Sequence, residues 1–168
     1  RHEEMKKEAE AIQIHMVHSL ADGKGVDLKV YLSGNPTNLG ENAPRSLPAI
    51  FTGGRKQPFE TEGSGRLELA RSITSPEIPL TARVMVNRIW FHHFGRGLVE
   101  TLSNFGKAGT RPSHPLLLDW LARTLVEGKW SIKQMHRVMM NSNAYRQLSA
   151  IRPAAEEVDP ENRLLWRM

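Results

Sequence analysis

The stretch NRIWFHHFGRG, residues 87–97, decides how this chain is read. Tryptophan, paired histidines, two arginines and two glycines stand together in it, so it is either a ligand-gripping cluster or a packed helix ending in a tight turn. Placing residues 100° apart around a helix from Thr81 to Phe94 separates the two readings. Ala82, Met85, Val86, Ile89 and His93 fall on one face with Trp90 at its edge, while Arg88 and His92 fall on another. The spacing predicts an architectural helix with His93 turned inward and hydrogen-bonded, not two imidazoles on one ion. Thr81 is the expected N-cap, and Gly95 is the expected left-handed residue after the last turn. Phe91, opposite the main apolar face, predicts a helix packed on two sides.

Further helices follow along the chain. RLELARSI (66–73) stops at Thr74-Ser75-Pro76, since a residue before proline is steered out of helix. A helix from Ser113, with Pro115 in its first turn, runs to Gly128. Leu117, Trp120, Leu121 and Leu125 form its expected core stripe, and Asp119 and Arg123 an expected surface pair. WSIKQM (130–135) carries a capping box, Ser131 with Gln134, and a hydrophobic staple, Trp130 with Met135. Ile132, Met135 and Met139 mark the buried face there, with His136 and Asn143 beside them as polar groups needing partners.

Before residue 65 the signals are looser. Residues 1 to about 22 read as a helix ended by Asp22-Gly23. VDLKVYLSG (26–34) alternates apolar and polar residues as a strand does. From Asn35 to Gly65 the chain is rich in Pro, Gly, Asn and Thr and reads as a long irregular connection. The expected architecture is mainly α: a compact helical domain of about five helices, with a short β element and a long irregular loop near the N-terminus. Residues 1–64 form an N-terminal arm and 65–168 the helical core.

Composition removes several chemistries. The 168 residues contain no cysteine, so disulfides, thiolate zinc sites, cysteine nucleophiles and covalent haem attachment within the chain are excluded. No apolar run reaches the ~20 residues that span a bilayer. RHEEMKKEAEA lacks the apolar region of a signal peptide. Lacking an initial methionine, the chain is expected to be a piece of a longer protein. Net charge is +5, unevenly spread. Residues 81–147 hold ten Lys/Arg against three Asp/Glu, a balance of +7, while residues 1–27 hold four against six, a balance of −2. Such polarity attracts an anionic partner or docks one part of the protein on another.

Candidate chemistry is sparse. Arg88, His92, Arg96 and His114 are the candidate binding groups for an anion, with Asn141, Tyr145 and Arg146 at the end of the last strong helix as further polar donors. Gly95-Arg96-Gly97 lacks the glycine spacing of a dinucleotide or phosphate loop. His15 and His18, followed by Asp22, have no third strong ligand nearby, so no metal site is expected. HExxH and Gly-x-Ser-x-Gly are absent.

The combination of RLELARSITSPEIPLTARVMVNRIWFHHFGRGLV, FGKAGTRPSHPLLLDWLA, WSIKQMHRVMMNSNAYRQ and DPENRLLWRM resembles the planctomycete-specific domain of unknown function. The likeness is strong from Gly65 to Met168, looser over YLSGNPTNLGENAPRSLPAIF, and departs at Ser72 (usually tryptophan) and Asn104 (commonly aspartate). It implies the C-terminal part of a large exported protein, periplasmic, extracellular or in the cell envelope, often with cytochrome c domains upstream. Any haem would sit on another part of that polypeptide, and no cofactor is expected on this chain. The family pattern continues past RLLWRM, so the chain is expected to be cut there. The resemblance supplies no catalytic residues. The leading expectation is a non-catalytic structural or docking module that contacts other domains or subunits of a larger protein. One alternative is an enzyme component binding an anionic or carbohydrate-like substrate through Arg88, His92 and Arg96. The other is nucleic-acid binding by the basic helices of 113–147.

Overall fold

The computed structural model describes residue 3, residues 19–55 and residues 57–168. Among these the elements are β1 (Leu28–Tyr31), β2 (Leu39–Ala43), α1 (Arg66–Ile73), α2 (Pro79–Phe94), α3 (Pro115–Glu127), α4 (Ile132–Met140) and α5 (Pro153–Val158), with short 3-10 turns at Leu32–Gly34 and Ala49–Phe51. The architecture is mainly α with a short β element, as the apolar spacing predicts. The expected helix over residues 1–22 lies outside the described residues, save Glu3, which is helical, and 19–22, which belong to no helix.

The core forms where α2, α3 and α4 meet. From α2 it takes Ala82, Val86, Ile89 and Trp90, from α3 Leu118, Leu121, Ala122 and Leu125, from α4 Met135 and Met139, and from the loop after α2 Leu98 and Val99. The α3 stripe is turned by one position from the expected one: Leu117 is half-buried and Trp120 is 51% exposed. Met85, at 38%, and Ile132, at 47%, also face outward against expectation. A helical wheel ranks positions by apolarity, but only neighbouring helices decide which arc is covered, and α2 and α4 cover less than the apolar arc. His136 and Asn143, expected beside the α4 core face, are exposed as well.

Proline sets both long-helix starts. α2 begins at Pro79, with Ile78 in the cap position and no side-chain cap bond, so Thr81 is not the N-cap. α3 begins at Pro115 after His114, not at Ser113. A ring that fixes φ near the helical value and needs no hydrogen bond is already suited to the first turn. α4 starts as its sequence demands: the Ser131 hydroxyl accepts the Gln134 amide at 3.3 Å. The link before it carries local strain, because Lys129 and Trp130 both hold positive φ, 52° and 60°. The bond from the Trp130 amide to the Leu125 carbonyl, 2.8 Å, and Trp130's packing on the core hold that conformation.

The stretch from Asn35 to Gly65, expected to be irregular, contains β2. β2 runs antiparallel to β1, with Leu28 opposite Ala43 and Tyr31 opposite Leu39. LGENA has little intrinsic strand preference, so pairing across the hairpin rather than local propensity makes it a strand. Asn35 closes the turn by accepting the Thr37 amide at 2.9 Å and its hydroxyl at 2.8 Å. Arg45 braces the hairpin base by an ion pair to Asp27 at 2.8 Å. No described helix is long and apolar enough to cross a membrane.

Candidate functional site

The geometry around the end of α2 is set by Asn87, the residue that opens NRIWFHHFGRG. Its side chain is fully buried, 0% exposed. Its amide nitrogen donates to the Val99 carbonyl at 2.9 Å and its oxygen accepts the Val99 amide at 2.9 Å. Asn87 thus satisfies both backbone groups of a buried loop residue as a paired strand would. Gly95, at φ 74°, ends the helix with its amide donating to the Phe91 carbonyl, and the chain folds back toward Asn87. Gly97 is buried in that return, where a Cβ would drive into the Val99 carbonyl and crowd the Asn87 amide nitrogen. GRG is therefore a folding device as well as a turn.

This folded-back loop forms one wall of a cleft of about 540 Å³. Trp90, Phe94, Arg96, Arg111, His114 and Arg163 are among its lining residues, and the Trp90 and Phe94 rings stack at 4.0 Å. Arg96 is held by two carboxylates: it donates to Glu100 on its own loop and to Glu161, 3.2 Å away, from the C-terminal segment. The Glu100 hydrogen bond is the main reason its guanidinium is pushed above the ordinary arginine value. Among the described residues Arg111 and Arg163 make no ion pair. His114 Nδ1 lies 3.0 Å from Ser113 Oγ, which also bonds the Leu98 carbonyl at 3.3 Å. The Ser113 hydroxyl therefore has two acceptors in reach, and the His114 tautomer sets which of them takes its proton.

DPENRLLW builds the opposite wall. The Asp159 carboxylate accepts the amides of Arg163 at 3.0 Å and Leu164 at 2.7 Å, and its carbonyl accepts the Trp166 indole at 2.7 Å. The Leu164 amide in particular holds its carboxyl below the usual aspartate range. Gln147 then ties this segment to the turn after α4, donating to the Leu165 carbonyl at 2.7 Å.

On another side of α2 the His93 ring reaches α4. His93 Nε2 lies 2.7 Å from His136 Nδ1, and Tyr145 stands edge-on to both His93 and Phe94. Partial burial chiefly, then the neighbouring His136 and His92, lower the His93 pKa from the ordinary histidine value. His93 is half-buried and hydrogen-bonded, on a different side of the helix from exposed His92.

Of the other candidate residues, the structure brings Arg96 and His114 to one cleft and Tyr145 to His93. Arg88 borders a separate, smaller cleft with Leu80, Val84 and Phe105. His92 is exposed beside the Phe91 ring. Asn141 is the exposed C-cap of α4, its amide donating to the Arg137 carbonyl. Arg146 is exposed, and its amide donates to the Ser142 carbonyl at 3.1 Å. Asp119 pairs with Arg83 of α2 at 2.7 Å rather than with Arg123, because a facing helix offers a cation closer than the next turn does. Asn87, Asp159 and Glu161 were not singled out from sequence. An asparagine amid apolar helix residues is a usable signal for a buried clamp, whereas nothing local marks Glu161 as Arg96's partner. No group of three or more metal-ligating side chains occurs among the described residues, and His15 and His18 lie outside them.

Residues 65–168 match the family model PSD1, described as a protein of unknown function (DUF1553). No curated protein and no solved structure matches the chain.

Proposed function

The chain belongs to the PSD1 family of proteins of unknown function, and from that premise we propose that it is a non-catalytic docking module within a larger polypeptide or assembly. The observation that carries this reading is that α1 and the β1–β2 hairpin bury none of their side chains. Leu28 of the hairpin is 62% exposed and Leu67 of α1 is 56%, with Val30, Tyr31, Leu39, Leu69 and Ile73 also open. An eight-residue helix and a lone two-stranded hairpin are each marginal in water. Apolar faces of this kind are what a module presents to something else.

The cleft supports the same reading by what its charged groups already do. Glu100 and Glu161 are both engaged by Arg96. These contacts knit the loop after α2 to the C-terminal segment and leave the two carboxylates poorly placed for acid–base work. The exported or cell-envelope setting and the neighbouring cytochrome c domains rest on the sequence resemblance and are part of the proposal.

Hydrogen exchange on the whole native polypeptide, compared with residues 1–168 alone, tests it. The amides of 28–43 and 66–73 should exchange more slowly in the whole protein, and Leu67→Glu with Ile73→Glu should cancel that gain while leaving α2–α4 protected. Equal exchange in both contexts would remove the reason to call this surface an interface.

A further inference from the structure

We propose that the His93–His136 contact is an acid-released latch, in which one proton shared between facing ring nitrogens ties the end of α2 to α4 at neutral pH and uptake of two protons parts them. The argument begins with valence. His93 Nε2 and His136 Nδ1 face each other at 2.7 Å, so one must carry a hydrogen and the other a lone pair. A first added proton can go to an outward nitrogen, giving an imidazolium that donates to a neutral imidazole, and the contact survives. A second proton can only go to the facing lone pair. Two N–H groups then point at each other between two cations, and the rings must separate.

The surroundings favour separation over toleration. The groups that face His93 are His136 from α4, Tyr145 from the turn that follows it and His92 on its own helix. Partial burial opposes protonation of His93, His136 and His92 oppose it further, and among the described residues no carboxylate offsets them. The sign follows: with the folded-state affinity for protons below that of the unfolded chain, the contribution of the contact is present above the ordinary histidine value of 6.5 and is lost as pH falls through the lower folded value.

The latch has reach because of what it holds. Tyr145 packs edge-on to His93 and Phe94, and two residues later Gln147 bonds the Leu165 carbonyl in the segment that forms one wall of the cleft. Releasing His136 loosens the 141–147 turn and, through Gln147, that wall. The inference does not rest on the docking reading and stands if that reading fails.

Proton NMR of the histidine rings between pH 8 and pH 5 tests it on the intact chain. The His93 ring resonances should move in two steps, the lower of them below the ordinary histidine value, as coupled groups do. In His136→Gln, His93 should collapse to a single step. As pH falls from the ordinary histidine value towards the lower step, the exchange rate of the Tyr145 amide, corrected for its intrinsic pH dependence, should rise by up to about tenfold per pH unit and level off below that step. A single step at His93 in the wild type, or exchange at Tyr145 that ignores pH, would overturn the latch. Should His136→Gln not fold, the wild-type titration alone decides.

Discussion

Replacing Asn87 by alanine should be among the most damaging single changes in this domain that touch no large apolar side chain. The side chain is fully buried and makes two hydrogen bonds of 2.9 Å to the amide and carbonyl of Val99, itself 2% exposed. Alanine strands both backbone groups away from water, at about 1–3 kcal/mol each. The sum, roughly 4 kcal/mol, is a large share of the ~5–15 kcal/mol that holds a typical domain together. At ~2–4 °C per kcal/mol for a chain of this size, the melting temperature should fall by roughly 10 °C. Asn87→Asp sharpens the test. Its carboxylate keeps the bond from the Val99 amide but sets a charge against the Val99 carbonyl, so it should be worse than alanine at pH 7 and should recover as acid protonates it. Urea denaturation of wild type and both variants at pH 7 and pH 5 would measure this, with Arg88→Ala as the exposed neighbouring control. If Asn87→Ala lies within about 1 kcal/mol of wild type, water or a rearranged loop satisfies Val99, and the clamp argument fails.

Two further outcomes follow from the same contacts. Ser131→Ala removes the cap of α4, where the hydroxyl accepts the Gln134 amide at 3.3 Å, and should cost about 1 kcal/mol in urea unfolding; no loss would mean that Trp130 alone fixes that helix start. Asp159 has a depressed pKa because it accepts the amides of Leu164 and Arg163, so its contribution is present above its unfolded value and vanishes as pH falls through the lower folded value. Melting curves from pH 5 to pH 2.5 should therefore be flatter for Asp159→Asn than for wild type, and parallel curves would argue against the carboxylate as the knot of DPENRLLW.

Helices α1 to α4 are legible in sequence because apolar spacing and punctuation act locally. Pro115, Gly95 and the Ser131–Gln134 pair mark helix ends through effects that span only a turn, whereas the start of α2 lies at Pro79 and not at the expected Thr81. β2 was hidden because LGENA becomes a strand only by pairing with β1, and α5 because a six-residue segment carries too short a pattern to declare itself. Trp120 and Ile132 have core-type side chains yet lie outside, since burial depends on where another helix stands. Among the site residues, helical angle alone separated His93 from His92, although His93 is half-buried and outside the core. Its partner His136, 43 residues away, could be placed only by the packing of α4 on α2.

By itself, then, the sequence determined that this is a cysteine-free, mainly helical chain whose 87–97 segment closes a helix, because helix periodicity and helix termination are short-range effects. Only the tertiary structure decided that Asn87 clamps Val99, that Glu161 meets Arg96 and that His93 faces His136. Each of those pairs joins residues brought together by the burial of a common core, and no local pattern encodes which distant partner that core will supply.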